Sequence, residues 1–175
     1  DEVRFSYWKS CPHCSELYRS RGFESYKQVE TVFMKRMEEI LAGYGRKLSV
    51  WNEAGEGDDL SKETYVHGWK NPEACRDMVG RGYKTIIMPG EYCYFDMYQS
   101  DREPGAVWNG VVDVWKPYSL SLEGYSPAEL ENVVGFEGAF WTELLAHNSK
   151  LIPNYFDYQL FPRLIALAEV AWTRD

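Results

Sequence analysis

The chain has 175 residues, enough for one domain with a core of its own, and a net charge of −8 with no Lys/Arg-rich run. That balance argues against a nucleic-acid partner, and no run of about 18 apolar residues is present to span a membrane as a helix. Aromatic residues stand out at 16%, with 7 Trp and 13 Tyr; their flat apolar faces and polar edges suit stacking on sugars as well as core packing.

In chain order, the sequence opens on two adjacent carboxylates, Asp1 and Glu2, as though it began inside an element rather than at a disposable terminus. "CPHC" at Cys11–Cys14 has the spacing of a zinc or redox motif. A zinc site needs a second ligand pair, and Cys75 and Cys93 are single and far apart, so no metal is expected. A local disulfide and reduced or buried thiols both remain open.

The first clear helix follows "GFES", with Ser25 as N-cap and Val29, Phe33, Met37, Ile40, Leu41 and Tyr44 as one buried stripe; Gly43 and Gly45 end it. "KLSVW" reads as a short strand ending at Trp51, and "NEAGEGDDLSKET" as a polar loop. "NPEACRDMVGRG" is a helix capped by Asn71, with Pro72 in its first turn and Gly80 or Gly82 at its end. "KTIIMPG" is a buried strand closed by Pro89-Gly90, and residues 91–125 form a long Tyr-rich stretch of weak periodicity. Ser126-Pro127-Ala128-Glu129 is a capping box, "VVGFEGAFW" a strand, and "PNYFDYQLFPRLIALAEVAW" helical with a break at Pro162. Alternation of this kind predicts βαβ units, hence an α/β fold on a parallel sheet.

Three strands run into chemically loaded residues: Trp51-Asn52-Glu53, "EYCYFDMY", and Trp141-Thr142-Glu143. In a parallel α/β barrel the chemistry sits at the carboxyl ends of the strands, and Asp1-Glu2 fits a fourth such end. The Trp-x-Glu arrangement occurs twice, which favours a site over two accidents of packing. Trp8, Trp115 and Trp172 are read as structural, and Arg163 as pairing with Glu169 or capping a strand. His13 and His147 have no assigned role; His67, near Trp69, is a possible lining residue.

Six segments, "DEV", "SVWNE", "YFDMY", "GAVW", "GAFWTELL" and "LFPRLIALAEVAW", taken in this order across nearly the whole chain, resemble glycoside hydrolase family 20, the β-N-acetylhexosaminidases and chitobiases. The resemblance implies a (β/α)8 TIM barrel whose fourth strand ends at Asp1-Glu2. Residues 1–175 would then be the C-terminal half of one catalytic domain, with the N-terminal half, including a substrate-clamping Arg on the first strand, absent from this chain. A complete barrel needs about 250 residues.

The resemblance also implies roles. Glu2 would be the general acid and then the base for water, and Asp1 would hold the acetamido N–H of the substrate. Tyr94 would donate to the acetamido oxygen. Asp96 and Glu143 would bind sugar hydroxyls, Trp51, Trp69 and Trp141 would wall the pocket, and Trp108 would be a further pocket or leaving-group residue. The implied partner is an N-acetylhexosamine-terminated glycan, with no cofactor, and relatives of this kind work in secreted, periplasmic or lysosomal settings. Alternatives are a lacto-N-biosidase-like enzyme that releases a disaccharide, a carbohydrate-binding fragment without hydrolysis, and an inert fragment.

Overall fold

A computed structural model describes residues 4–57 and 59–173. Helices α1 (Phe5–Ser10), α2 (Pro12–Ser20) and α3 (Tyr26–Gly43) come first, followed by strand β1 (Ser49–Trp51) and a helical turn α4 (Asn52–Gly55). Then come β2 (Tyr65–Gly68), α5 (Pro72–Gly80), β3 (Lys84–Ile87), α6 (Gly90–Cys93), α7 (Trp115–Tyr118), α8 (Pro127–Leu130) and β4 (Val133–Phe136). The chain closes with α9 (Leu145–Asn148), α10 (Tyr155–Leu160) and α11 (Arg163–Trp172).

The four strands form one all-parallel sheet in the order β1-β2-β3-β4, half the number of strands in a closed (β/α)8 barrel. Strand alternation divides the sheet into two faces. Val50, Val66, Thr85 and Ile87 are buried, packed towards α3 and α5. Ser49, Trp51, Tyr65, His67, Lys84 and Ile86 take the alternate positions of the three paired strands and stay partly or fully open. In a closed barrel that second face is the filled interior. Between β3 and β4 the pairing steps from Thr85↔Val133 to Ile86↔Gly135, so Val134 is the extra residue of a bulge.

Local signals explain most elements. The Asn71 side chain accepts from the Ala74 N–H at 2.8 Å, and Pro72 fills the first turn of α5, where a missing N–H costs nothing. Ser126 and Glu129 form the reciprocal capping box at α8, at 2.7 and 3.3 Å. At α3 the Gln28 carboxamide accepts from the Ser25 N–H at 3.1 Å.

Several expectations are corrected. The buried side of α3 carries Val29, Met34, Met37 and Leu41, whereas Phe33, Ile40 and Tyr44 are exposed. The loop after Trp51 opens with the buried turn α4. The strand β2 and the helices α1 and α2 had no clear periodic signal. Trp115 and Trp172 are 68% and 87% exposed rather than part of the core. Glu169 accepts from the Thr173 hydroxyl, and Arg163 has a different set of partners.

Arg163 is fully buried. Its guanidinium donates to the carbonyls of Gln159 (2.8 Å), Met97 (3.1 Å), Val112 (2.6 Å) and Phe95 (2.6 Å), and lies over the Phe95 ring at 5.2 Å. Burial lowers its pKa to about 10, still far above neutral, so the group remains a cation. A rigid fork of donors therefore ties α11 and α10 to the stretch that carries Asp96.

Candidate active site

Hydrogen bonds continue the sheet beyond its regular strands. Met88 N–H donates to Gly68 O (3.0 Å), Glu137 N–H to Ile87 O (3.1 Å), Ala139 N–H to Cys93 O (2.8 Å) and Phe95 N–H to Ala139 O (2.7 Å). These bonds fix the segments that leave the carboxyl ends of β2, β3 and β4. Trp51 ends β1, Trp69 follows β2, Tyr94 and Asp96 follow β3 through α6, and Trp141 and Glu143 follow β4. Trp108 arrives on a loop that zips onto the Asp96 segment: Ala106 N–H donates to Asp96 O (2.8 Å) and Tyr98 N–H to Ala106 O (2.9 Å). Gly105 permits that approach, because a β-carbon there would lie 2.5 Å from the Tyr98 backbone nitrogen.

Trp51, Trp69, Tyr94, Asp96, Trp108, Trp141 and Glu143 line one open cavity of about 890 Å³, together with Ala106 and Leu144. The structure thus brings seven of the expected site residues together. The remaining two, Asp1 and Glu2, lie outside the described residues. Trp69 stacks on Tyr94 with centroids 6.1 Å apart and planes at 19°. Trp108 stands edge-on to both, at 6.2 and 5.8 Å. Trp141 contacts Tyr94 and Trp51, each at 6.0 Å.

Trp69 is held by a group to which the sequence reading gave no role in the pocket. Its indole N–H faces both carboxylate oxygens of Glu53 at 3.0 Å, and its backbone N–H donates to Asn52 Oδ1 at 3.2 Å. Glu53 is buried, with Lys70 Nζ 3.4 Å away; Lys70 also pairs with Glu56 at 2.8 Å. The repeated Trp-x-Glu pattern had marked Glu53, but only contacts 16 residues apart in sequence reveal what it holds. His67 lies beside Trp51, ring edge to face at 5.4 Å, with Nε2 2.7 Å from Ser49 Oγ and Nδ1 3.0 Å from Glu137 Oε2. It supports the Trp51 wall from the second face of the sheet and is not among the cavity residues.

Asp96 is buried, and its Oδ1 has no hydrogen-bond partner among the described residues. Burial is the main cause of its raised pKa, and the negative Glu143 adds to it; the backbone N–H of Trp141 and the Arg163 cation act the other way. Burial likewise holds the Tyr94 hydroxyl in its protonated, donating form. Among the described residues, no Lys, Arg or His lines the cavity. The lining residues offer flat apolar faces, one phenol donor and two carboxylate acceptors, a set suited to a hydroxyl-bearing ring. No group of three or more His, Cys, Asp or Glu suited to a metal ion occurs among the described residues.

Residues 1–175 match the model of glycosyl hydrolase family 20, catalytic domain. The chain belongs to that family. It is 29% identical over 174 residues to a β-hexosaminidase of Vibrio furnissii, covering 96% of this chain and 28% of that protein. It is 30% identical over 178 residues to a β-hexosaminidase of Porphyromonas gingivalis, covering 99% and 22%. Its fold superposes on a family 20 exo-β-N-acetylglucosaminidase of Vibrio harveyi, solved with N-acetylglucosamine, with a TM-score of 0.86, 29% identity and coverage of 100% and 27%. A chitobiase of Flavobacterium johnsoniae gives a TM-score of 0.76 at 27% identity, covering 99% and 25%. The family 20 chain described here thus spans roughly a quarter of the length of these relatives, and its four-stranded parallel sheet is part of a TIM barrel.

Proposed function

We propose that this domain serves in the exo-hydrolysis of terminal β-linked N-acetylglucosamine or N-acetylgalactosamine from glycans or chitooligosaccharides, with retention at the anomeric carbon. The observation that carries the reading is the cavity at the strand ends, walled by four Trp rings and edged by Tyr94, Asp96 and Glu143. Family membership and the names of the relatives support the same reaction class.

In this reading the substrate supplies its own nucleophile. The 2-acetamido oxygen attacks the anomeric carbon as the bond to the leaving oxygen breaks, and Glu2 gives that oxygen a proton. Asp1 accepts the acetamido N–H and stabilises the cationic oxazolinium. Tyr94 donates to the acetamido oxygen and aligns it before attack, a positional contribution. Water then attacks the same carbon with Glu2 as base, and two inversions leave retained configuration. Asp96, through its unpartnered oxygen, and Glu143 accept hydrogen bonds from ring hydroxyls. The first half of the barrel, supplied by a longer polypeptide or by a second chain, completes the interior and contributes the remaining substrate contacts.

The test compares an aryl β-N-acetylglucosaminide with the corresponding aryl β-glucoside in the barrel-complete protein. Turnover of the first alone, abolished in Glu2→Gln with binding retained, supports the proposal. Binding without turnover in the unmutated protein points instead to a carbohydrate-binding role.

A further inference from the structure

Two cysteines that the glycosidase reading does not use have a distinctive placement. Cys11 sits at the corner between α1 and α2, in extended conformation (φ −80°, ψ 122°), as the N-cap of the nine-residue α2. Its N–H is spent on α1, facing the carbonyls of Tyr7 (3.1 Å) and Trp8 (3.2 Å), and its carbonyl accepts from Ser15 N–H at 3.0 Å. Pro12 occupies the first helical position and Cys14 the third. N-cap and third-position side chains share the opening turn of a helix. The two sulfurs are therefore one turn apart, at the end of the helix where negative charge is favoured. Both residues are partly accessible, and both are free thiols.

The two thiols are also unequal. The backbone N–H of Cys14 is the largest influence drawing the Cys11 thiol below its ordinary range, followed by the Cys14 side chain, with the His13 N–H acting the same way. The neighbouring Cys11 side chain pushes the Cys14 thiol upward. Cys75 and Cys93, by contrast, are buried in the core; burial pushes Cys75 up to about 12 and Cys93 higher still. The chain thus holds one accessible asymmetric pair and two inert thiols.

We propose that Cys11 and Cys14 form a redox-active dithiol that closes reversibly to a disulfide by exchange with small-molecule disulfides such as oxidised glutathione. Cys11, as thiolate, attacks one sulfur of the oxidant, forms a mixed disulfide and releases one thiol. Cys14 then loses its proton to solvent and attacks the Cys11 sulfur, expelling the second thiol and leaving Cys11–Cys14 bridged. Two protein thiols are oxidised and one disulfide is reduced to two thiols, so electrons and atoms balance. Helix placement activates the first thiol, and proximity makes the second step intramolecular. Thiol exchange needs no glycan, so it stands or falls independently of the proposed hydrolysis.

The test equilibrates the native protein in glutathione buffers of graded ratio, quenches with acid, alkylates, and maps the modified cysteines by mass. The expected result is joint loss of alkylation at Cys11 and Cys14, restored by reduction, with Cys75 and Cys93 unaffected. Cys14→Ser is expected to trap glutathione on Cys11, and Cys11→Ser to leave Cys14 largely unmodified. In Cys14→Ser, the alkylation rate of Cys11 is expected to inflect at lower pH in the native protein than in urea, because the helix N–H groups are lost on unfolding. Independent titration of the two thiols, preferential trapping on Cys14, or identical pH profiles with and without urea would each overturn the proposal.

Discussion

Replacing Arg163 by Lys keeps the charge and removes the fork. Four buried carbonyls, on Phe95, Met97, Val112 and Gln159, now receive hydrogen bonds from one guanidinium. An ammonium has three donors at a single point on a shorter stem, so at least one carbonyl, and by reach two, lose their partner. Each buried carbonyl left unsatisfied costs about 1–3 kcal/mol, so the substitution is expected to cost about 3 kcal/mol, a large share of a typical domain's stability. The Phe95 and Met97 carbonyls flank Asp96, so the effect reaches the cavity: sugar affinity falls with stability. Urea unfolding gives the first quantity and tryptophan-fluorescence titration with N-acetylglucosamine the second. An unchanged midpoint together with unchanged affinity would show that the guanidinium does not hold this segment.

Three further outcomes follow from the same contacts. Glu53→Gln leaves one acceptor for the Trp69 indole N–H and removes the charge facing Lys70, so sugar binding is expected to weaken by roughly fivefold, the loss of about one hydrogen bond's net worth; unaltered titration curves would deny Glu53 its positioning role. Asp96 has a folded-state pKa raised above the ordinary 3.8, so its stabilising contribution is complete below that value and is lost as pH rises through the folded pKa. The melting-temperature difference between Asp96→Asn and the unmutated protein is therefore expected to move in favour of the variant between about pH 4 and pH 7, and a difference that is constant or moves the other way contradicts the burial argument. Asn71→Ala removes the acceptor for the Ala74 N–H and is expected to cost about 1 kcal/mol in urea unfolding, without effect on sugar affinity.

The helix starts were legible because their determinants are local. Asn71-Pro72 and Ser126-Pro127-Ala128-Glu129 carry the cap and the first turn within four residues of each other. Strand β2 was not, because His67 and Gly68 interrupt its apolar run, and Gly68 stands where a side chain would meet Cys75, whose Cα lies 3.0 Å from an added β-carbon. The α3 stripe was read too widely, with Phe33, Ile40 and Tyr44 lying beside the buried face, since helical periodicity fixes a face only as well as its apolar residues are confined to it. Tyr44 lies past the helix end and turns to solvent. The cavity residues could be selected from family-like segments, yet their mutual arrangement depends on pairing between strands. The Trp-x-Glu repeat marked Glu53, but its hold on Trp69, 16 residues away, was hidden for the same reason, as were the Phe95, Met97 and Val112 carbonyls that Arg163 meets 51–68 residues away.

The central claim is that the substrate's acetamido oxygen is the nucleophile, with Tyr94, Asp96 and the Trp walls holding the sugar for it. The most direct measurement is kcat/KM, in the barrel-complete protein, for aryl β-N-acetylglucosaminides whose N-acyl group carries zero to three fluorines. Fluorine withdraws electrons from the carbonyl oxygen while changing its size little. The account predicts a steep fall in rate with each fluorine, together with retained configuration in the product; rates that stay flat across the series would place the nucleophile on the protein or on water and contradict it.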